Sequence, residues 1–374
     1  MAKRKSATGD QAVRQLIDVF LKLPTRAKVA VLVLALVAGV VWAYVSYSRR
    51  PDPGPPLPPG AKSVVLCVWN MENLFDDRDD RRRPGVDEDY DNWFAQDPAS
   101  RNAKYSKLAG WLLKQNNGIG PDIIVGNEIE SLRAAELLQQ ELNAGLPADA
   151  PRYNHVAMDE FDGGRHIAPC VISRYPLSGT RRLGSRFRIL EVRVTANGHE
   201  MTLVASHWTS QATQKADERE GGRYNYAAVI LDSYAVAVRS NPKLDYLVCG
   251  DFNDTPDSDV VANALRLTAD RALVTPAADP PRLFGPLSAK DPAQFATVNY
   301  GKPEIFDHVG LSPGMLDEAG WGYVADSVQV PTDGLIRQGT RVRRPWRFGS
   351  PRDDAVGRGY ADHFPVVVTL KVAP

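Results

Sequence analysis

Apolar and polar positions divide the chain into stretches of different periodicity. From Val29 to Tyr47 no residue is charged, and these 19 residues, at ~1.5 Å of rise each, predict a helix of roughly 28 Å, about the hydrocarbon thickness of a bilayer. Ahead of it, Val13, Leu16, Ile17, Phe20 and Leu21 recur at helical spacing until Pro24, as in a helix with one apolar face that could lie on a membrane or pack within the protein. Behind it, Pro51 to Gly60 reads PDPGPPLPPG, which sustains neither a helix nor a sheet ladder and predicts an extended spacer. Beyond the spacer, β-branched runs predict strands at Ser63–Trp69, Asp122–Val125, Cys170–Ser173, Ile189–Val194, Met201–Ser206, Tyr246–Cys249, Phe306–Leu311 and Phe364–Val372. Helical patterns at Tyr105–Lys114, Leu132–Leu142 and Tyr224–Val238 fall between several of them.

This alternation predicts a mixed α/β domain, a two-sheet sandwich with helices outside. The expected organisation is an N-terminal segment over 1–28, a transmembrane helix over 29–47, a Pro-rich linker over 48–61 and one domain over 62–374. Lys3, Arg4, Lys5, Arg14, Lys22, Arg26 and Lys28 precede the apolar span, whereas Arg49, Arg50 and Lys62 follow it. That bias predicts a cytoplasmic N-terminus and an extracytoplasmic domain. A cleaved signal peptide and a buried core helix are the alternatives. The long leading segment and the poor cleavage site at Val41-Trp42-Ala43 favour an uncleaved anchor.

Composition changes little. The 374 residues are 43% hydrophobic, ordinary for a globular core, and Lys+Arg and Asp+Glu each total 45, so no global field for polyanions is expected, although a local basic patch can still form. Cys67, Cys170 and Cys249 each sit in an apolar run and read as core thiols, with neither zinc-ligand spacing nor a disulfide framework.

The candidate chemistry lies at strand ends. Trp69-Asn70-Met71-Glu72-Asn73, Gly126-Asn127-Glu128, Ser206-His207-Trp208, Gly250-Asp251-Phe252-Asn253-Asp254 and Phe306-Asp307-His308 stand at or just beyond apolar strands, and Ala361-Asp362-His363 opens the last one. Singly, Asn70 or Asp251 could cap a turn and each histidine could be structural. Together they supply hard oxygen donors and imidazoles without a matching cysteine set, which suits Mg²⁺ or Mn²⁺.

In order and wording, VWNMENLFDD, PDIIVGNEIES, ISRYPL, ASHWTS, VCGDFNDTPDS, FDHVGLS and YADHFPV resemble the endonuclease/exonuclease/phosphatase family, in particular its bacterial secreted or membrane-anchored members. The resemblance covers nearly everything after Ala61. It implies a four-layer α/β sandwich, two mixed sheets face to face with helices outside, and a metal-dependent phosphoesterase whose catalytic domain is monomeric. By the same resemblance, Glu128 is the principal metal carboxylate, Asn70 and Asp362 complete or support the oxygen shell, and Glu72 reaches it through water. His363 matches the catalytic histidine and Asp307 its orienting carboxylate. Asp251 and Asn253 match the pair that positions the nucleophile, and His207 matches the second histidine at the phosphoryl group. Asn127 and Ala361 replace the usual Gln and Ser, and Phe306 a common aliphatic residue, while the ligands themselves remain.

Outside these motifs, the acid-rich stretch Asp76–Asp97 reads as a solvated rim loop, since it lacks the spacing of a calcium loop. Arg341, Arg343, Arg344, Arg347 and Arg352 beside Trp346 and Phe348 form either a solvated loop or a surface that pairs with phosphates and stacks on bases. Arg165, Arg174 and Arg223 are further phosphate candidates. The expected substrate is a phosphodiester, nucleic acid or nucleotide ahead of phospholipid. A lipid phosphodiesterase, a phosphomonoesterase and a non-catalytic binding module displayed on a membrane stand as alternatives.

Overall fold

The computed structural model describes residues 24–28, 59–82, 85–212, 216–353 and 357–374. The apolar span 29–47, the amphipathic pattern ahead of Pro24 and most of the proline spacer lie outside them. Among the described residues no helix is long and apolar enough to cross a membrane. The chain divides into Met1–Pro53 and Gly54–Pro374. In the first unit, residues 25–28 form a helical turn.

The second unit runs β1 (Lys62–Leu74), α1 (Val86–Gln96), α2 (Pro98–Leu112), β2 (Ile123–Ile129), α3 (Leu132–Gly145), β3 (His155–Met158), β4 (Ala168–Ser173), β5 (Leu177–Arg182), β6 (Ile189–Ala196), β7 (His199–His207), α4 (Ala216–Ser240) and β8 (Tyr246–Asp251). It continues through β9 (Leu267–Thr268), β10 (Leu283–Phe284), α5 (Pro292–Phe295), β11 (Val298–Asn299), β12 (Pro303–Glu304), β13 (Asp307–Leu311), β14 (Trp321–Tyr323) and β15 (Val366–Val372). One sheet has the order β14-β15-β1-β2-β4-β3, the other β5-β6-β7-β8-β13-β10-β9, and β11 and β12 make a separate ribbon. All eight sequence-predicted strands form. β5 (LSGTRR) has a single apolar residue, and β3 and the two- and three-residue strands are too short to announce themselves.

Strand alternation explains the layers. In β7, Leu203 and Ala205 join the core shared with the first sheet, whereas Val204 joins the cluster formed with Tyr226, Ile230 and Tyr234 of α4. In β8, Leu247 and Cys249 face the first core while Tyr246 and Val248 face α4. A sheet covered on both sides requires uninterrupted apolar strands, which is how these two read in sequence. On the first sheet, Leu108 and Leu112 of α2 and Ala134, Leu138 and Leu142 of α3 complete the core. Ser131 caps α3 by accepting from the Ala134 N–H at 3.0 Å, and Asp97 caps α2 with Pro98 following. The three cysteines are buried free thiols, as expected.

The acid-rich stretch departs from its reading as a solvated loop. Residues 86–96 form α1, whose Tyr90 and Phe94 are buried with Phe75, Ile167 and Phe348. Aromatic residues at positions i, i+3 and i+4 (Tyr90, Trp93, Phe94) make an apolar stripe that the surrounding acids hide from a reading by composition.

Chain direction then decides where chemistry collects. β1 and β2 are parallel, as are β7 and β8, with His207 opposite Asp251. β13 and β15 run antiparallel to β8 and β1, so they begin where the parallel strands end. Gly250 lets β7 and β8 approach at that point: its φ is 134°, and an added Cβ would stand 1.9 Å from the Ser206 carbonyl oxygen. Gly250→Ala is expected to cost roughly 1–3 kcal/mol, seen as a lower thermal midpoint, and to displace His207 and Asp251 together, read as lost turnover in whatever fraction stays folded.

Candidate active site

Several site residues are placed by local interruptions of regular structure, whereas His207, Asp251 and Asp307 stand in regular strand register. The β1/β2 register slips between Asn70 and Leu74, and the β2/β4 register slips between Gly126 and Ile129. Such bulges re-aim side chains at a sheet's rim. Glu72, Asn73, Glu128 and Asn253 have φ of 50°, 55°, 61° and 52°, the left-handed region that non-glycine residues avoid unless their surroundings hold them there. The hydrogen bonds that hold them are visible. Asn73 N–H donates to Glu128 Oε2 at 2.9 Å, Asn253 N–H to Asp251 Oδ1 at 2.8 Å, and Glu72 N–H to Asn70 Oδ1 at 3.1 Å.

Around this scaffold the two sheets meet. The Asn70 amide donates to Glu128 Oε1 at 3.2 Å and to Asp251 Oδ2 at 3.0 Å. His207 Nε2 lies 3.9 Å from Glu128 Oε1 and 3.8 Å from Asp251 Oδ2. His363 Nε2 lies 3.8 Å from the same Asp251 oxygen, and its Nδ1 is 2.7 Å from Asp307 Oδ2. The Asn253 amide donates to the Trp208 carbonyl at 3.2 Å. Asp362 accepts from the Tyr300 hydroxyl at 3.0 Å. Of the predicted residues, Asn70, Glu128, His207, Asp251, Asn253, Asp307, Asp362 and His363 are thus brought together.

The other four are placed differently. Glu72 is buried, and its oxygens accept from the N–H groups of Phe348 and Gly349, at 2.7 Å and 3.2 Å, and from Arg347 Nε at 3.0 Å. It moors the loop 347–349 rather than offering a free oxygen to a ligand water. Arg174 sits at the far end of the sheet, paired with Asp122 at 2.9 Å just ahead of β2, and so belongs to the fold. Arg223 is tied to Asp254 at 2.9 Å. Arg165 pairs with Asp87 at 2.6 Å and donates to Asn73 beside Glu128.

The arginine–aromatic loop is also largely structural. Arg352 pairs with Asp89 at 2.7 Å, Arg343 donates to the Ala296 and Val330 carbonyls, and Phe348 is buried.

Sequence reasoning missed Lys104 and Tyr300. Lys104 is fully buried, donates to the Tyr360 carbonyl at 2.6 Å and stands 3.9 Å from Glu72 Oε2; in sequence it is one more polar position on a helix. Tyr300 tops the β11–β12 ribbon, with no motif around it. Asp76 and Asp80 of the acid-rich stretch and Glu130, just after β2, bring oxygens within 4.8 Å of one another, and Arg82 stands against two of them.

Burial sets the protonation pattern. It pushes Asp251 above the usual carboxylate range, with Asp307 adding to the shift and His363 opposing it. Burial also holds His207 well below its ordinary value, helped by Arg188, His363 and Arg165. At His363 burial works against the charged form, but Asp307 and Asp251 outweigh it and raise the imidazole well above its ordinary value. Asp251, Asp307 and His363 present ligand-type atoms within 4.8 Å of one another, yet His363 Nδ1 is committed to Asp307, which marks an acid–base group. Glu128, Asn70 and Asp362 supply the oxygen donors suited to a hard divalent cation, and the half-buried carboxylates of Glu128 and Asp362, with no lysine or arginine paired to them among the described residues, carry charge that such an ion would balance.

One consequence is measurable. The folded value of His363 exceeds its unfolded value of 6.5, so the pairing stabilises the fold fully below that pH and its contribution fades as pH rises through the raised value. In Asp307→Asn the imidazole is expected to titrate at lower pH, followed by proton NMR of the ring; an unchanged titration would refute the pairing as the cause.

No curated protein sequence matches the chain. Solved structures show its fold at low identity. An endonuclease/exonuclease/phosphatase family protein from Bacteroides thetaiotaomicron is 15% identical, with a TM-score of 0.50 over 84% of this chain and 96% of that one. Sphingomyelinase C from Streptomyces griseocarneus is 17% identical, with a TM-score of 0.50 over 82% and 99%. TDP2 from C. elegans is 12% identical, with a TM-score of 0.50 over 83% and 75%. The model of the Endonuclease/Exonuclease/phosphatase family matches residues 67–363, from Cys67 within β1 to the catalytic histidine candidate. The chain therefore belongs to the Endonuclease/Exonuclease/phosphatase family and is a metal-dependent phosphoric ester hydrolase.

Proposed function

We propose that this hydrolase cleaves phosphodiester bonds by attack of water on phosphorus, with a nucleic acid or nucleotide as substrate in preference to a phospholipid. The observation that carries the reading is the pair of histidines flanking one carboxylate: His207 and His363 each approach Asp251 Oδ2 at 3.8 Å, and Asp307 holds the second of them at 2.7 Å. A phosphodiester repels a nucleophile with its own charge and must shed charge onto a leaving oxygen, so it needs proton acceptors and positive charge on opposite sides of phosphorus.

Asp307 fixes the His363 ring and stabilises its imidazolium, leaving Nε2 directed at Asp251. Asn253, locked through its own backbone, helps hold the attacking water, and the Asp251 carboxylate, whose proton affinity is raised by burial, accepts that water's proton as its oxygen bonds to phosphorus. His207, kept neutral, offers a ring N–H to a phosphoryl oxygen. Glu128, Asn70 and Asp362 would hold Mg²⁺ or Mn²⁺, while Glu72, in β1, moors the loop 347–349. When bound there, the ion supplies charge neutralisation at the phosphoryl and leaving oxygens, a contribution of several kcal/mol. Arg165, beside Asn73, is the phosphate candidate retained near the cluster.

Placement belongs to the same proposal. The apolar span 29–47 anchors the protein, the proline spacer stands the domain off the membrane, and the excess of Lys and Arg ahead of the span puts the domain outside the cytoplasm. Fractionation should leave the full chain in membranes after alkaline carbonate, with the domain open to protease added from outside; release by carbonate would refute the anchor.

For the chemistry, the full chain in mild detergent is assayed on a generic phosphodiester, DNA, RNA and sphingomyelin with Mg²⁺, with Mn²⁺ and with chelator. Activity on nucleic acid that disappears with chelator is expected. Glu128→Gln and His363→Ala should each lose ~10²–10⁴-fold in kcat. Activity confined to sphingomyelin would overturn the substrate assignment, and unchanged turnover in both variants would overturn the site.

A further inference from the structure

Beside the His207 edge of the site lies an open groove of about 500 Å³ that includes Phe161, Arg165, Arg182, Arg186, Phe187 and Arg188 in its lining. Arg188 immediately precedes β6, and its carbonyl accepts the His207 N–H at 3.0 Å.

The four guanidiniums are not equivalent. Arg165 is answered by Asp87 at 2.6 Å, and Arg182 by Asp159, with its plane over the Phe161 ring. Arg188 donates only to the Trp208 carbonyl, at 3.2 Å, and Arg186 is exposed. Neither of these two has a carboxylate partner among the described residues. Asp162 is the single acid in the described lining. Two guanidiniums without a carboxylate partner thus line the groove, and one of them belongs to the residue whose carbonyl holds the His207 backbone.

We infer that this groove holds a second phosphate of the substrate, at a linkage other than the one hydrolysed, through Arg186 and Arg188. The argument is one of charge and desolvation. A guanidinium fork matches a phosphate bidentately and gives up little hydration to it. An acyl chain in the same groove would have to strip water from unpaired guanidiniums without replacing their hydrogen bonds. Phe187, half-buried and edge-on to Tyr226 at 4.9 Å, adds an apolar surface of the kind on which a base or sugar rests. The preferred substrate is then a strand with several phosphates rather than an ester with one. This assignment rests on the phosphodiesterase reading above.

The test uses the full chain and Arg186→Ala, a surface change that leaves the catalytic residues in place, with two substrates: thymidylyl-thymidine, which has one phosphate, and a ten-nucleotide oligothymidylate. For the oligonucleotide, KM should rise about tenfold with kcat retained, and the slope of log KM against log salt should fall by about 0.7. Hydrolysis of the dinucleoside should be unchanged. Arg186→Glu should weaken the oligonucleotide further. An unchanged KM for the oligonucleotide, or equal losses on both substrates, overturns the groove. If the wild type cleaves neither substrate, the nucleic-acid reading fails separately. Fluorescence anisotropy of labelled oligonucleotide in chelator then decides the groove by itself: weaker binding by Arg186→Ala supports it, and equal binding refutes it.

Discussion

The amide of Asn70, on one sheet, donates to Asp251, on the other, at 3.0 Å, and His363 meets Asp307 across the same gap at 2.7 Å. These four side chains are almost fully buried, so each bond replaces water that cannot return. Breaking either would strand an acid in the core, a larger penalty than the net worth of the bond itself. The separation of the two sheets at this edge is therefore fixed by the same contacts that define the site. Trp69 adds to the clamp by donating its indole N–H to the His363 carbonyl at 2.9 Å.

What the sheets provide in rigidity, the strand ends convert into direction. Four residues in or beside the site have left-handed backbone, and each carries a conformational cost that the surrounding bonds must hold down. The cost is bearable because β1, β2, β7 and β8 are anchored in continuous apolar packing just behind. Strain confined to the last residue or two of a well-packed strand moves a side chain without loosening the strand.

Much of this was legible in sequence for a definite reason. Strands buried on both faces read as unbroken apolar runs, and the polar residue that ends such a run must stand at a rim. Hence Asn70, Glu128, His207 and Asp251 could be named before their neighbours across space were known. Reading failed where partners are distant. Arg174 follows a strand as a site residue would, but Asp122, 52 residues away, claims it. Glu72 looks free until residues 347–349 close over it. Lys104 is a polar position on a helix until Glu72 and the Tyr360 carbonyl surround it. The helix α1 was concealed by its own acids, because composition weighs every residue equally while packing counts only the stripe that turns inward.

Glu72 joins the first strand of the fold to a loop near its end: through its contacts with Phe348 and Gly349, that stretch is stitched to the floor of the cleft. Lifting that stretch away would leave a buried carboxylate without its donors. Two parts of the chain some 275 residues apart are thus bound to open together, if they open at all.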